Sequence, residues 1–197
     1  MEQTNMNKEI LTQELIKNPA FSSDWVKYAV DIIEITGARY NVDFLKPFHS
    51  AQLGVMLEIV KFNADKENED KIPEDIIFNT CMNETQMTIL MNAYKNDNLK
   101  EKRNIIDEKL ADCDLSYAKM NYAINALADG FDEIIDYIDE YDHNQLYEII
   151  AGYYDGIDYK KYADKSIPSE EMELIRHILV LGKSVEKNED GQLVVTL

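Results

Sequence analysis

The sequence predicts an all-α protein, an array of short helices in helical repeats that ends in a small β-hairpin. Three observations predict it. The first is a phrase of the form Gln/Lys/Glu-Met/Leu-x-x-apolar-x-x-apolar/Gly, found at Gln52-Leu53…Met56…Ile59, Gln86-Met87…Leu90…Ala93, Lys119-Met120…Ala123…Ala126, Gln145-Leu146…Ile149…Gly152 and Glu171-Met172…Ile175…Ile178. A looser copy starts at Trp25-Val26…Ala29…Ile32, and successive starts lie 27, 34, 33, 26 and 26 residues apart. Steps of three put these apolar side chains on one helix face that a neighbour must cover, and such spacings suit stacked helical units. The second observation is that three copies are followed at the same offset by Gly130, Gly156 and Gly182, as helix exits would be. The third is a set of reciprocal caps, in which a short acceptor stands three residues before Glu or Gln.

Taken in order, Ser22 or Ser23 caps a helix over 24–36 that leaves at Gly37, and Ser50 caps one over 51–62. The polar, charged stretch from Asn63 to Asp75 reads as an exposed loop and the best boundary. Asn83 with Gln86, Asn98 with Glu101 and Asp142 with Gln145 open helices over 84–95, 99–111 and 143–154. Asp114 or Ser116 begins a helix over 115–128, a further one is predicted over 131–141, and Pro168 stands in the first turn of one over 168–181. Strand is confined to the tail. Ser184-Val185-Glu186-Lys187, a turn at Asn188-Glu189-Asp190-Gly191, and 192–197 read as a hairpin that must lean on helices or a partner. The organisation is thus an N-terminal helical part at 1–64, an acidic loop at 65–75, a repeat part at 76–182 and a hairpin tail at 183–197.

A chain of 197 residues can bury a core without staples. Cys81 and Cys113 match no metal-ligand spacing and are predicted to be reduced core thiols of a cytoplasmic protein. The first residues lack a signal peptide's apolar run, and no stretch approaches the ~20 apolar residues of a membrane span, so neither secretion nor anchoring is expected.

Asp155-Gly156-Ile157-Asp158, Tyr162-Ala163-Asp164, Glu171-Met172…Ile175-Arg176 and Gly182 resemble a short tandem helical repeat of the type Gly-Leu-Asp…Tyr-Ala-Asp…Gln-Met…Ile-Arg, found in proteins of phages and conjugative elements of Gram-positive bacteria. The resemblance covers residues 145–184; Ile178 stands where a Gly is usual, and Tyr-Ala-Asp does not recur upstream. It implies a modular helical array on a mobile element and no activity, with Gly156 and Gly182 as exits, Tyr162 and Met172 as packing, and Asp158 and Asp164 as caps.

Charge is the other informative feature. The chain has 38 acidic and 20 basic residues, a formal net of −18. Residues 1–64 carry 8 acids and 6 bases, 105–197 carry 21 and 8, and from Met120 through Tyr159 ten acids meet no Lys or Arg. On the predicted helix over 131–141, Asp129, Asp132, Glu133, Asp136, Asp139 and Glu140 fall within an arc of roughly 120° opposite Phe131, Ile134, Ile135, Tyr137, Ile138 and Tyr141. Such a ridge carries unrelieved like charges at i,i+4. Nine of twelve tyrosines lie between Tyr117 and Tyr162, among them Tyr153 and Tyr154, next to Asp155. Tyrosines beside carboxylates suit the guanidinium and ammonium groups of a partner protein. A surface of this kind repels nucleic acid and attracts a basic protein.

Enzymatic signatures are missing: no Gly-x-Ser-x-Gly elbow, no phosphate-cradling Gly-rich loop and no His-Glu-x-x-His. Glu140-Tyr141-Asp142-His143 is a single Glu-x-x-His where di-metal bundles need two. Asp112-x-Asp114-x-Ser116 fails as a calcium loop at Tyr117 and Ala123. His49, His143 and His177 have no nucleophile near them in sequence. The expectation is therefore a non-enzymatic protein with no cofactor, no metal and no small-molecule substrate. In the context of a mobile element the expected role is an acidic inhibitor. It would occupy the basic channel of a host nucleic-acid-binding effector, a CRISPR nuclease being the foremost kind, and compete with nucleic acid through Asp129, Asp132, Glu133, Asp136, Asp139, Glu140, Tyr153, Tyr154 and Asp155. The alternatives are a helical-repeat adapter that binds a protein or peptide, and an immunity protein for a basic nuclease toxin.

Overall fold

The computed structural model describes residues 2–37, 39–67, 71–187 and 193–196, and the chain is mostly helical. It divides into two compact units, Met1–Asp97 and Asn98–Leu197.

The first unit contains α1 (Glu2–Ile16), α2 (Ser23–Thr36), α3 (Val42–Leu45), α4 (Ser50–Ala64), α5 (Glu74–Ile77) and α6 (Glu84–Lys95). Ser22 caps α2 by accepting from the Trp25 amide, and Gly37 ends it in the left-handed region at φ 61°, as the sequence predicts. Helix α2 packs on α4, and α4 on α6. Between them lie Trp25, Ala29 and Ile32, then Leu53, Met56 and Ile59, then Met87 and Leu90, all from the recurring phrase and all buried. The Trp25 indole N–H donates to the Phe48 carbonyl at 2.9 Å, so its one polar atom is satisfied. No helix is predicted before residue 24, yet α1 runs over Glu2–Ile16. Its apolar residues form no clear stripe, since Ile10 and Ile16 are exposed where Leu15 is buried. Nor are the described residues of 63–75 a plain loop, residues 68–70 lying outside them. The Asn63 side chain donates to the Ile72 carbonyl and accepts from the Ile72 amide, both at 2.8 Å, which joins Ile72 to the end of α4 inside the first unit. The division of the chain falls between Asp97 and Asn98.

In the second unit, α8 (Tyr117–Ala128), α9 (His143–Tyr154) and α10 (Ser169–Val180) are each 12 residues long. They begin 26 residues apart. Their exits share one hydrogen-bond pattern. Gly130, Gly156 and Gly182, at φ 93°, 68° and 73°, donate to the carbonyls of Leu127, Tyr153 and Leu179. The following amides, Phe131, Ile157 and Lys183, reach back to Ala126, Gly152 and Ile178. These are the two bonds of a Schellman ending, which requires the left-handed backbone that glycine tolerates best. Met120, Ala123, Leu146, Ile149, Met172 and Ile175, all nearly or fully buried, form the inward faces. Past α10, β1 (Ser184–Lys187) pairs antiparallel with β2 (Leu193–Thr196), Val185 facing Val195. The predicted turn at 188–191 lies outside the described residues.

Two predicted helices are corrected. The stretch 99–111 breaks into a 3-10 segment (Asp97–Lys102), a single α-turn α7 (Arg103–Ile105) and a π-turn (Ile106–Leu110). The stretch 131–141 holds only a 3-10 segment at Asp132–Asp136, followed by turns. Its burial pattern is close to the prediction, with Phe131, Ile134, Ile138 and Tyr141 inside and Ile135 and Tyr137 half-buried. Its backbone is not, because the Gly130 exit at one end and the Asp142 cap at the other hold the segment to a tighter path, and an α-helix here would stack the acids at i,i+4.

The glutamine of the recurring phrase has a defined task. Gln145 Oε1 accepts from the Asp142 amide while its Nε2 donates to the Ile167 carbonyl at 2.8 Å, just ahead of α10. Gln52 does the same in the first unit: Oε1 accepts from the His49 amide, and Nε2 donates to the Met82 carbonyl at 2.6 Å, just ahead of α6. Both side chains are buried. One residue therefore caps its own helix and latches the approach to the next. Gln145→Ala strips a buried carbonyl and an amide of their partner, and we expect a loss of about 1–3 kcal/mol in chemical denaturation.

Candidate functional site

The acids of the predicted ridge lie in the second unit, but not along one helix. Asp129 follows the last turn of α8, Asp132, Glu133 and Asp136 sit on the 3-10 segment, and Asp139 and Glu140 on the turns beyond it. All six are exposed. Most are not bare. Lys102 pairs with Asp132 and also donates to the Leu127 carbonyl at 2.7 Å; Lys160 meets Glu133 at 2.7 Å, and Lys165 meets Glu140 at 3.2 Å. The Tyr154 hydroxyl donates to Asp129 at 2.5 Å and the Tyr159 hydroxyl to Glu133 at 2.7 Å. Bases absent from 120–159 thus arrive from outside that stretch. Asp136 and Asp139 make no ion pair among the described residues. Exposed pairs of this kind contribute little to stability, but they lower the charge a partner would meet. The hydrogen bonds from Lys160 and Tyr159 hold the Glu133 carboxyl below the usual carboxylate range.

Asp155 is paired as well. Arg176, reaching from α10 to α9, bonds Glu148 at 2.9 Å and Asp155 at 2.6 Å. Tyr153 stacks flat on Phe131 with ring centroids 4.2 Å apart, so it serves the packing between the end of α9 and the segment after α8. Tyr154 is half exposed. The predicted site residues are therefore gathered around the exits of α8 and α9 and the turns between these helices.

A second feature escaped the sequence reading. Tyr122 of α8 and Tyr147 and Tyr154 of α9 border a groove of about 390 Å³, with Ile150, Asp155 and Arg176 among its other walls. The Tyr122 and Tyr147 rings stand 5.8 Å apart. The available signal was the 26-residue interval between the starts of α8, α9 and α10, which lets the outward positions of one helix be set beside those of the next.

Burial is the first cause that raises the ionisation of Tyr159 and Tyr162 far above the ordinary tyrosine value, and their neighbouring carboxylates add to it. Tyr154 is pushed up to about 12, by burial first and by its bond to Asp129 second. A value raised in the folded state means that folding favours the protonated phenol. The corresponding stability is complete below the ordinary pKa near 10 and is lost as pH climbs above it. We expect the second unit to loosen above about pH 10, with Tyr159 and Tyr162 ionising only as the fold gives way, which ultraviolet titration followed beside circular dichroism will register. Solvent screening weakens this contribution at half-exposed Tyr154.

No group of three or more metal-ligating side chains gathers among the described residues. Cys81 is exposed and Cys113 half exposed, and neither is a free thiol, which overturns the expectation of reduced core thiols. Among the described residues no helix is long and apolar enough to cross a membrane. No protein-family model, no curated protein and no solved structure matches the chain.

Proposed function

We propose that the chain works by binding rather than by catalysis, as a tandem helical-repeat module that holds a basic protein. The observation that carries this reading is the 26-residue interval of α8, α9 and α10 with their common glycine exits. Repeat architectures stack such units to make extended binding surfaces, and each unit needs its neighbours to cover its core face. Gln52 and Gln145, as links from one helix to the approach of the next, fit this design. At the equivalent place in α10 stands Glu171, exposed and without the amide donor that would latch a further unit. In this reading α10 is the last member and the strands after it close the array as a hairpin. Residues 98–197 hold 22 acids against 11 bases, so the partner is expected to be basic.

A second reading is favoured by that same excess: an inhibitor from a mobile element that occupies the nucleic-acid channel of a basic effector such as a nuclease, where Asp136 and Asp139 would meet the effector's cations. One experiment tests both. The tagged full chain is used to capture proteins from the cells in which it acts, across rising salt. The binding-module reading expects a basic protein released as salt screens the interface. The inhibitor reading further expects release by added nucleic acid, and loss of capture by Asp136→Lys with Asp139→Lys. A chain that retains no basic protein at low salt would contradict both.

A further inference from the structure

Lys119 and Arg176 are the only lysine or arginine side chains on α8, α9 and α10, and both are turned into the protein. Lys119 donates to the Ile138 carbonyl at 2.8 Å, and Arg176 is held by Glu148 and Asp155 at 2.9 and 2.6 Å. What the three helices leave outward is a mixture of tyrosine, asparagine, histidine, alkyl and acidic groups, with no lysine or arginine among them. Tyr147 and Tyr154 are 50% and 52% exposed, and Leu174 on α10 is 59% exposed. In the 26-residue register Tyr147 is matched by exposed Glu173 on α10, and Tyr122 by buried Glu148 on α9 and then by exposed Leu174 on α10.

We propose that the groove bordered by Tyr122, Tyr147 and Tyr154 is the docking site for an extended segment of a partner protein in which arginine or lysine alternates with apolar side chains. The proposal rests on the binding-module reading and specifies its surface. Charge complementarity selects the occupant. Among the described residues the one cation lining the groove, Arg176, is held by Asp155 and Glu148, Glu173 stands exposed at the position corresponding to Tyr147, and residues 98–197 carry 22 acids against 11 bases. An apolar side chain lies against the outer faces of the Tyr122 and Tyr147 rings, which touch one another and admit nothing between them, and the neighbouring guanidinium lies across a tyrosine face, an attraction that gains as water is excluded. Tyrosine suits such a place, since it offers a large rigid area and a hydroxyl at low entropy cost. Alternation follows from an extended chain, whose successive side chains point to opposite sides.

The test uses the full chain and short labelled synthetic peptides, one alternating arginine with leucine, one arginine with serine and one glutamate with leucine, read by fluorescence anisotropy. The arginine–leucine peptide is expected to bind most tightly, and Tyr147→Ser with Tyr154→Ser to weaken it about tenfold or more, the scale of an interface hot spot. Asp136→Asn with Asp139→Asn, away from the groove, is expected to change it less than twofold. If the double serine variant unfolds by circular dichroism, Tyr147→Lys at a half-exposed side chain replaces it, with the same expected loss. Equal binding of both arginine peptides, indifference to the tyrosine changes, or equal binding of the glutamate peptide would overturn the groove. Any of these beside salt-sensitive capture of a basic protein would leave the binding-module reading standing, whereas failure of that capture removes the reading beneath it.

Discussion

Gly152→Ala is expected to be among the most damaging single substitutions in the second unit. A Cβ at Gly152 would stand 1.9 Å from the Tyr162 hydroxyl oxygen, 3.0 Å from Tyr159 Cβ and 3.1 Å from Tyr162 Cζ. Tyr162 has nowhere to go. Its side chain is fully buried, and its hydroxyl donates to the Glu148 carbonyl at 2.9 Å, one turn before Gly152 on the same helix. The glycine is thus a matter of space, which lets α9 accept the ring edge-on; its backbone stays helical. Overpacking costs roughly 1–3 kcal/mol and a broken buried hydrogen bond a similar amount, so a combined loss of about 2–5 kcal/mol is expected in urea denaturation. Tyr162→Phe should recover part of the Gly152→Ala loss, because it removes the oxygen at 1.9 Å and leaves contacts at 3.0 and 3.1 Å that a small shift relieves.

Ile149→Ala and Met172→Ala form the second large effect. Both side chains are fully buried, Ile149 on α9 and Met172 on α10, in helices that pack on one another. Removing either leaves a cavity that the neighbouring helices fill only partly, which costs roughly 2–5 kcal/mol. Since these positions lie in the core of one unit, the double variant should fall short of additivity if the cavities merge. Melting within a degree or two of the parent would mean that the apolar register has been misplaced.

The helices that could be read from the sequence are those whose caps and steps of three agree. Asn83 with Gln86 and Asp142 with Gln145 place α6 and α9 at their observed bounds because a cap is a local bargain between a side chain and the next turn. The segment 131–141 shows where that logic stops. Periodicity reports which residues go inside, and Phe131, Ile134, Ile138 and Tyr141 do. It does not report whether the backbone between them is α or a string of tighter turns. The acids of the candidate site were legible as composition, but their neutralisation by Lys102, Lys160, Lys165 and Arg176 depends on contacts between residues more than twenty positions apart, which no local pattern carries. The groove at Tyr122 and Tyr147 was hidden for the same reason.

The most direct measurement of the repeat reading is a duplication. A second copy of residues 143–168, from the start of α9 to the residue before α10, is inserted after Pro168, and the lengthened chain is followed by circular dichroism and thermal melting. If α8, α9 and α10 belong to one stacked series, the extra copy finds the same exit glycine, the same Gln145 latch and the same apolar face on either side. Helicity per residue and a single cooperative melt are then preserved, with a midpoint no lower than the parent's. Loss of the cooperative transition, or a helical signal no greater in total than the parent's, would contradict the repeat and with it the binding surface built on it.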